Sequence, residues 1–251
     1  MERKKYFGKL MLVLVVFLVG FQVSSQSDFK MNLYQSYISG DMVRWQQEVS
    51  RMEQKKNLIG WQKEELLEGY YGLIGWLLGN DKTREAKSYI GKGEKLMDEM
   101  LQANPANPTV LAFQGAFYGF SIGLQKYKAV ILGPKSMNAV KRALETDPGN
   151  IQAHIEKGNI LYYSPGLVGG DKSKSVEFYE KACLIMEKNG KAKNNWLYLS
   201  TSVQLAKIIE ELGNKEKARL IYEKLLAEEP GFLWVKNELL PGLIKSQNAS
   251  K

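Results

Sequence analysis

The sequence predicts an all-α fold in which antiparallel helix pairs stack into a solenoid, and three observations carry that expectation. Apolar residues recur at three- and four-residue steps through almost the whole chain after residue 26, and no stretch alternates like strands bounded by hairpin turns. The stretch 199–232, LSTSVQLAKIIEELGNKEKARLIYEKLLAEEPGF, places small residues and large knobs at the offsets that two closely packed helices need. Ala206 sits in the first helix, Gly213 ends it, Ala218 marks the crossing, Tyr222 projects one turn later and Pro230 closes the unit. Looser copies of this arrangement recur upstream.

Taken in order, the chain opens with MERKKYFGKLMLVLVVFLVGFQVSSQ. Arg3, Lys4, Lys5 and Lys9 precede an apolar run over residues 10–21, followed by Ser24 and Ser25, which is the layout of a signal peptide cleaved after Ser25. The run is shorter than the roughly 20 residues that a permanent membrane span needs. An uncleaved N-terminal anchor is the alternative reading, and no Cys stands near the run to accept a lipid. An exported protein, periplasmic or otherwise associated with the envelope, is expected, with residues 26–251 forming one helical domain.

Residues 28–56 read as a helical hairpin or one long helix that caps the stack. In 65–103, Gly72, Gly79, Ala86, Ile90 and Gly93 take the repeat positions, and the second helix runs about a turn long. In 108–149, Gly115 is the small position, Ser136 the crossing, and Val140, Ala143 and Pro148 follow. Gly115 and Ser136 lie 21 apart against 12 for Ala206 and Ala218, so the first helix is expected to reach about Val130 before Gly133 and Pro134 break it. In 151–189, Asn150 caps the first helix, and Gly158, Ser175, Tyr179 and Ala182 fill the pattern. Here the small-to-crossing interval is 17, and SPGLVGGD absorbs the five extra residues. Pro165 ends the helix after Ser164, Gly166, Gly169 and Gly170 allow backbone angles closed to other residues, and Asp171 caps the next helix. Residues 233–245 supply a closing helix, because an exposed end of a helical stack would otherwise present an apolar face to water.

The chemistry is sparse. His154, the one histidine, has no second His or neighbouring Cys for a zinc site and falls at a knob position, where packing is the favoured role. GFSIG at 119–123 has GxSxG spacing but lies in a helical pattern without the strand-turn-helix context of a nucleophile elbow, so a hydrolase using His154 with a nearby Ser or Glu is a remote alternative. The adjacent carboxylates Glu64 and Glu65, Glu210 and Glu211, and Glu228 and Glu229 point about 100° apart on a helix and cannot converge on one atom. GKGEK at 91–95 lacks P-loop spacing and lies within a helical pattern. No catalytic residue, metal or cofactor is expected. Cys183, the single cysteine, follows Ala182 on a buried stripe and reads as a small hydrophobe. Without the leader, 31 basic against 26 acidic residues leave a net charge of +5, with no basic block of the nucleic-acid type.

Residues 65–232 resemble the tetratricopeptide repeat (TPR) superfamily, most closely at 199–232 and less upstream. Ser202 departs from the pattern at its aromatic position, although Leu205 fits. The resemblance implies a right-handed superhelix without catalytic function, whose first helices line a concave face that binds a protein or peptide partner. Projected onto this chain, that face holds Ala116, Gly119 and Phe120, then Ile155, Asn159, Tyr162 and Tyr163, then Val203, Lys207 and Glu210. The alternative for each aromatic is packing between repeats. The leader, the LETDPGNIQAH junction and the long turn YYSPGLVGGDKSKSVEFYEKA are also similar to periplasmic TPR proteins associated with tripartite TRAP transporters. That resemblance implies an accessory subunit binding or delivering a small solute, and it makes Ser164, Pro165, Gly166, Gly169, Gly170 and Asp171 a second candidate site.

Overall fold

A computed structural model describes residues 27–248, which form eleven α-helices and no strand. The expected leader lies outside these residues. The N-terminal cap is a hairpin of α1 (Asp28–Ser39) and α2 (Met42–Glu53), turned at Gly40 with φ 71°. Four pairs follow: α3 (Gly60–Gly79) with α4 (Thr83–Ala103), α5 (Pro108–Leu124) with α6 (Ala129–Thr146), α7 (Ile151–Tyr163) with α8 (Lys172–Lys188), and α9 (Trp196–Glu211) with α10 (Lys215–Glu228). A π-helical turn, Val235–Leu239, leads into α11 (Leu240–Asn248). None of these helices is long and apolar enough to cross a membrane.

Local chemistry fixes the starts of most helices. Ser27, Asp41, Asn107, Asn150, Asp171, Asn195 and Asn214 each accept a backbone N–H of the helix that follows, satisfying donors that have no partner inside the helix. Gly213, with φ 90°, ends α9 in a conformation that glycine adopts without strain.

The small positions allow the close packing that their spacing implies. Ala86, Ala206 and Ala218 are fully buried, and Tyr179 and Tyr222 fill the space between the helices of their pairs. A Cβ added at Gly93, Gly115 or Gly158 would stand 2.1, 2.5 or 2.8 Å from Phe117, Val140 or Tyr179. At these crossings the helices approach too closely for any side chain. His154 and Cys183 are buried as well: the His154 ring donates from Nε2 to the Pro148 carbonyl at 2.9 Å, and Cys183 Sγ lies 3.5 Å from Ser202 Oγ.

One expected boundary is corrected. α5 stops at Leu124, and Pro134 lies inside α6, not at its start. The break falls at Gln125, in an extended conformation, followed by a 3-10 turn at Lys126–Lys128. Pro134 is tolerated because the carbonyl it leaves without a donor, that of Val130, belongs to the first turn of α6, where the chain is exposed.

Within the stack, α3 also packs on α5 and α5 on α7, while α1 returns to meet α9. The Tyr34 hydroxyl donates to the Glu229 carboxylate, and the Tyr37 ring lies 5.9 Å from Trp196 and 5.3 Å from Phe232. First and last units therefore touch across the inside of the superhelix.

Candidate functional site on the concave face

The inner face is built from α3, α5, α7 and α9, and its lower part is filled by the chain itself. Trp196, at the first turn of α9, packs edge-on against Trp45 at 4.8 Å and lies 6.5 Å from Tyr71. Trp45 Nε1 donates to the Gly69 carbonyl, which locks that indole over α3. Gly72 makes room for the pair, since a Cβ there would come within 2.9 Å of both indoles. Tyr71 continues the aromatic layer to Phe113 at 5.8 Å and Phe120 at 5.4 Å.

A polar network sits beside this layer. Glu156 is buried on α7 and accepts from Gln152 at 2.8 Å, from Asn159 at 3.0 Å and from the Tyr71 hydroxyl. Asn159 also donates to the Tyr71 hydroxyl at 3.2 Å and accepts from that of Tyr179. Burial pushes the Glu156 carboxyl up to about 7, against the lowering effect of its hydrogen-bond donors. The acid is held between charge states and cross-braces α7, α3 and α8.

Toward the edge formed by the turns within each pair, the concave face opens. Gly75 and Gly79 lie on the side of α3 opposite its buried residues, and Gly119 and Gly123 are exposed toward the C-terminal end of α5, one and two turns beyond buried Gly115. A Cβ added at any of the four would meet nothing within 4 Å. The floor of this region is therefore bare helix backbone. Half-buried Phe120 and Trp76 and 70% exposed Tyr163 stand around it.

The expected groove residues divide accordingly. Ala116, Ile155 and Val203 are buried in the core and cannot touch a partner, because the superhelix winds tightly enough for neighbouring first helices to cover them. Asn159 belongs to the Glu156 network. Phe120, Tyr162, Tyr163 and exposed Gly119 border the open region. Tyr162 donates to Glu211 at 2.6 Å and carries Lys172 Nζ over its ring at 5.0 Å, which ties α7 to α9. Lys207 lies over the Trp234 ring at 5.8 Å, away from the glycine floor, and Glu210 is half-buried on the same helix. Sequence reasoning missed Tyr71, Glu156 and Trp196. The detectable signal was Glu156 itself, a charged residue within the otherwise apolar line of α7.

The insertion is ordered by its own backbone. Gly166–Val168 forms a 3-10 turn, Gly169 adopts φ 88°, and the Gly170 N–H donates to the Pro165 carbonyl at 3.1 Å. The Asp171 N–H returns to the Leu161 carbonyl at 2.8 Å, and the Asp171 carboxylate caps α8 at the Lys174 N–H. The Ser164 carbonyl closes on Gly170, where a Cβ would stand 1.8 Å away.

Two surface depressions occur elsewhere. One of about 400 Å³ lies on α2 around Gln46, Ser50 and Arg51, and one of about 230 Å³ lies between Ser27, Lys55, Trp61 and Glu65. Among the described residues, no group of three or more His, Cys, Asp or Glu side chains is placed to hold a metal ion.

No family profile and no curated sequence matches the chain. Solved structures do. A thermophilic TPR protein of Thermus thermophilus superposes with a TM-score of 0.53 at 16% identity, covering 86% of this chain and 97% of its own. The HusA haemophore of Porphyromonas gingivalis superposes with a TM-score of 0.51 at 14% identity, covering 73% of this chain and 96% of its own. The helix pairs, their small crossing residues and these two likenesses together show a TPR-like superhelical fold.

Proposed function

We propose that this protein is an exported, non-catalytic scaffold that docks a peptide segment of a protein partner on the open part of its concave face. The observation that carries the reading is the glycine floor at Gly75, Gly79, Gly119 and Gly123. Glycine within a helix costs about 1 kcal/mol relative to alanine. At Gly93, Gly115 and Gly158 a crowded neighbour explains that cost, and Gly79 ends α3, but at Gly75, Gly119 and Gly123 nothing in the chain explains it. A bare backbone surface bordered by Phe120, Trp76, Tyr162 and Tyr163 suits close approach of another chain, with aromatic rings supplying contact area. Export rests on the leader layout of residues 1–25.

A second reading is carriage of a small ligand, as an accessory to an envelope transporter. It is favoured by the half-buried Tyr71 and Phe120 beside the Glu156 network, and by the likeness to the HusA haemophore.

Crosslinking and affinity capture from envelope fractions test the first reading. Gly119→Leu projects into open space, so it should not lower the thermal unfolding temperature, and it should abolish recovery of the partner captured by the parent. Equal recovery by parent and variant would remove the groove as the docking site. The second reading requires instead that haem quench the fluorescence of Trp76 and Trp196 in the parent, with saturation at one equivalent.

A further inference from the structure

Two enlarged connections, the turn 125–128 together with the first turns of α6 (129–135) in the second pair and the turn 164–171 in the third, lie on one edge of the solenoid, because successive first helices run in the same direction and end there. That edge carries an unusual surface. Five of the six most exposed large apolar side chains among the described residues, Leu167, Val130, Tyr127, Tyr163 and Ile131, lie in or beside these two connections, and the sixth, Val43, lies on α2. Isolated exposed apolar residues need no explanation, but a cluster confined to one edge does.

The two enlarged turns are firmly built. Each contains a 3-10 turn, and the third-pair turn is closed by the hydrogen bonds of Gly170 to Pro165 and Asp171 to Leu161, which hold Leu167 and Val168 outward. The chain builds a rigid support and uses it to present Leu and Val to solvent.

The charge beside the apolar tips is basic. Segment 125–137 contains Lys126, Lys128 and Lys135 and no acid, and Lys174 follows the other turn. Nearby acids are largely engaged: Asp171 caps α8, and Glu211 receives Tyr162 and Lys172. Glu94 on α4 faces Lys128 and offsets it in part, which leaves Lys126, Lys135 and Lys174 as the basic excess.

We propose that this edge seats on an anionic phospholipid surface. Leu167, Val168, Val130 and Ile131 enter the boundary between headgroups and acyl chains, Tyr127 lies at headgroup depth, and the lysines meet lipid phosphates. A peripheral contact needs both elements, since apolar tips alone would not discriminate between lipids and lysines alone would be screened by salt. The glycine floor opens beside this edge and shares Tyr163 with it, so a seated edge brings the mouth of the concave face close to the lipid surface.

Flotation with vesicles of phosphatidylcholine alone and of equimolar phosphatidylcholine and phosphatidylglycerol tests the proposal on the full chain. The parent is expected to float with the anionic vesicles and much less with the neutral ones. Leu167→Glu with Val130→Glu should lower the bound fraction by about tenfold or more, and Lys126→Gln with Lys135→Gln by about fivefold, an effect that high salt reproduces in the parent. Leu184→Glu with Leu220→Glu, exposed apolar positions on other faces, should float like the parent. Failure of the parent to bind anionic vesicles overturns the proposal. So does equal flotation of the parent and the two edge variants, the result expected if the leader alone held the chain to lipid. Loss of binding in the Leu184 and Leu220 variant would also overturn it.

Discussion

The side-chain amide of Asn159 donates to the hydroxyl of Tyr71 at 3.2 Å, although 88 positions separate the two residues. The bond spans from α7 to α3 past the intervening α5, and the same amide donates to Glu156. The interior of the superhelix is thus crossed by a polar brace in addition to apolar stacking, and the ionisable member of that brace controls its strength.

Stability should fall as pH rises because of Glu156. Its folded-state pKa of about 7 lies above the ordinary value of 4.5, so the native state holds the proton more tightly than the unfolded chain does. Its stabilising contribution is complete below about 4.5 and lost as pH passes through 7, a change on the order of 3 kcal/mol. Glu156→Gln should flatten this part of the profile and raise the melting temperature at pH 8, because Gln152 Oε1, buried and without a partner, can accept from the new amide once its own amide flips. Urea unfolding of both proteins at pH 5 and pH 8 checks this; parallel profiles would contradict it.

Alanine should have opposite effects at two glycines. Gly158→Ala places a methyl 2.8 Å from the fully buried Tyr179 ring, and overpacking of about 1 to 3 kcal/mol outweighs the gain in helix propensity. Gly119→Ala meets nothing and should stabilise by about 0.5 to 1 kcal/mol. Chemical denaturation reads both signs.

Cys183 should resist thiol reagents in the native protein. Burial pushes its thiol up to about 11, and the thiolate is the reactive species. A disulfide reagent at pH 8 should modify it only after denaturant is added. Stoichiometric modification of the folded protein would show that the α8–α9 contact opens readily.

Small crossing residues are the most legible part of the fold. Ala206, Ala218, Gly158 and Tyr179 follow from spacing, because close helix approach leaves few residue choices at those points. The end of α5 is less legible: Gly133 and Pro134 look like a break, yet the exposure of the first turn around Val130 lets α6 start five residues earlier, at Ala129. Within the candidate site, repeat offsets put Tyr162 and Tyr163 at the end of α7, where the first is half-buried and the second exposed, but they also put Ile155 and Val203 on a surface that these two do not reach. Burial there depends on how tightly the superhelix winds, a property summed over all the pairs. Trp196 is invisible to the sequence for the same reason, since its partners Tyr37, Trp45 and Tyr71 come from α1, α2 and α3.

Trp196→Ala should therefore cost about 3 to 5 kcal/mol and loosen the N-terminal hairpin more than its neighbours. Hydrogen exchange should show α1 amides losing protection to a greater degree than those of α6, which Trp196 does not contact. Uniform loss across the chain would mean that the indole stabilises its own pair alone.

An open solenoid can fray from either terminus, one unit at a time, because each unit answers only to its immediate neighbours. Here Tyr34 reaches Glu229, and Tyr37 meets Phe232. With α1 clasped to the segment after α10, neither the first nor the last helix pair of the described residues stands free as a place from which melting can spread cheaply. Unfolding becomes closer to a single event, and folding must wait for the slow encounter of segments nearly two hundred residues apart.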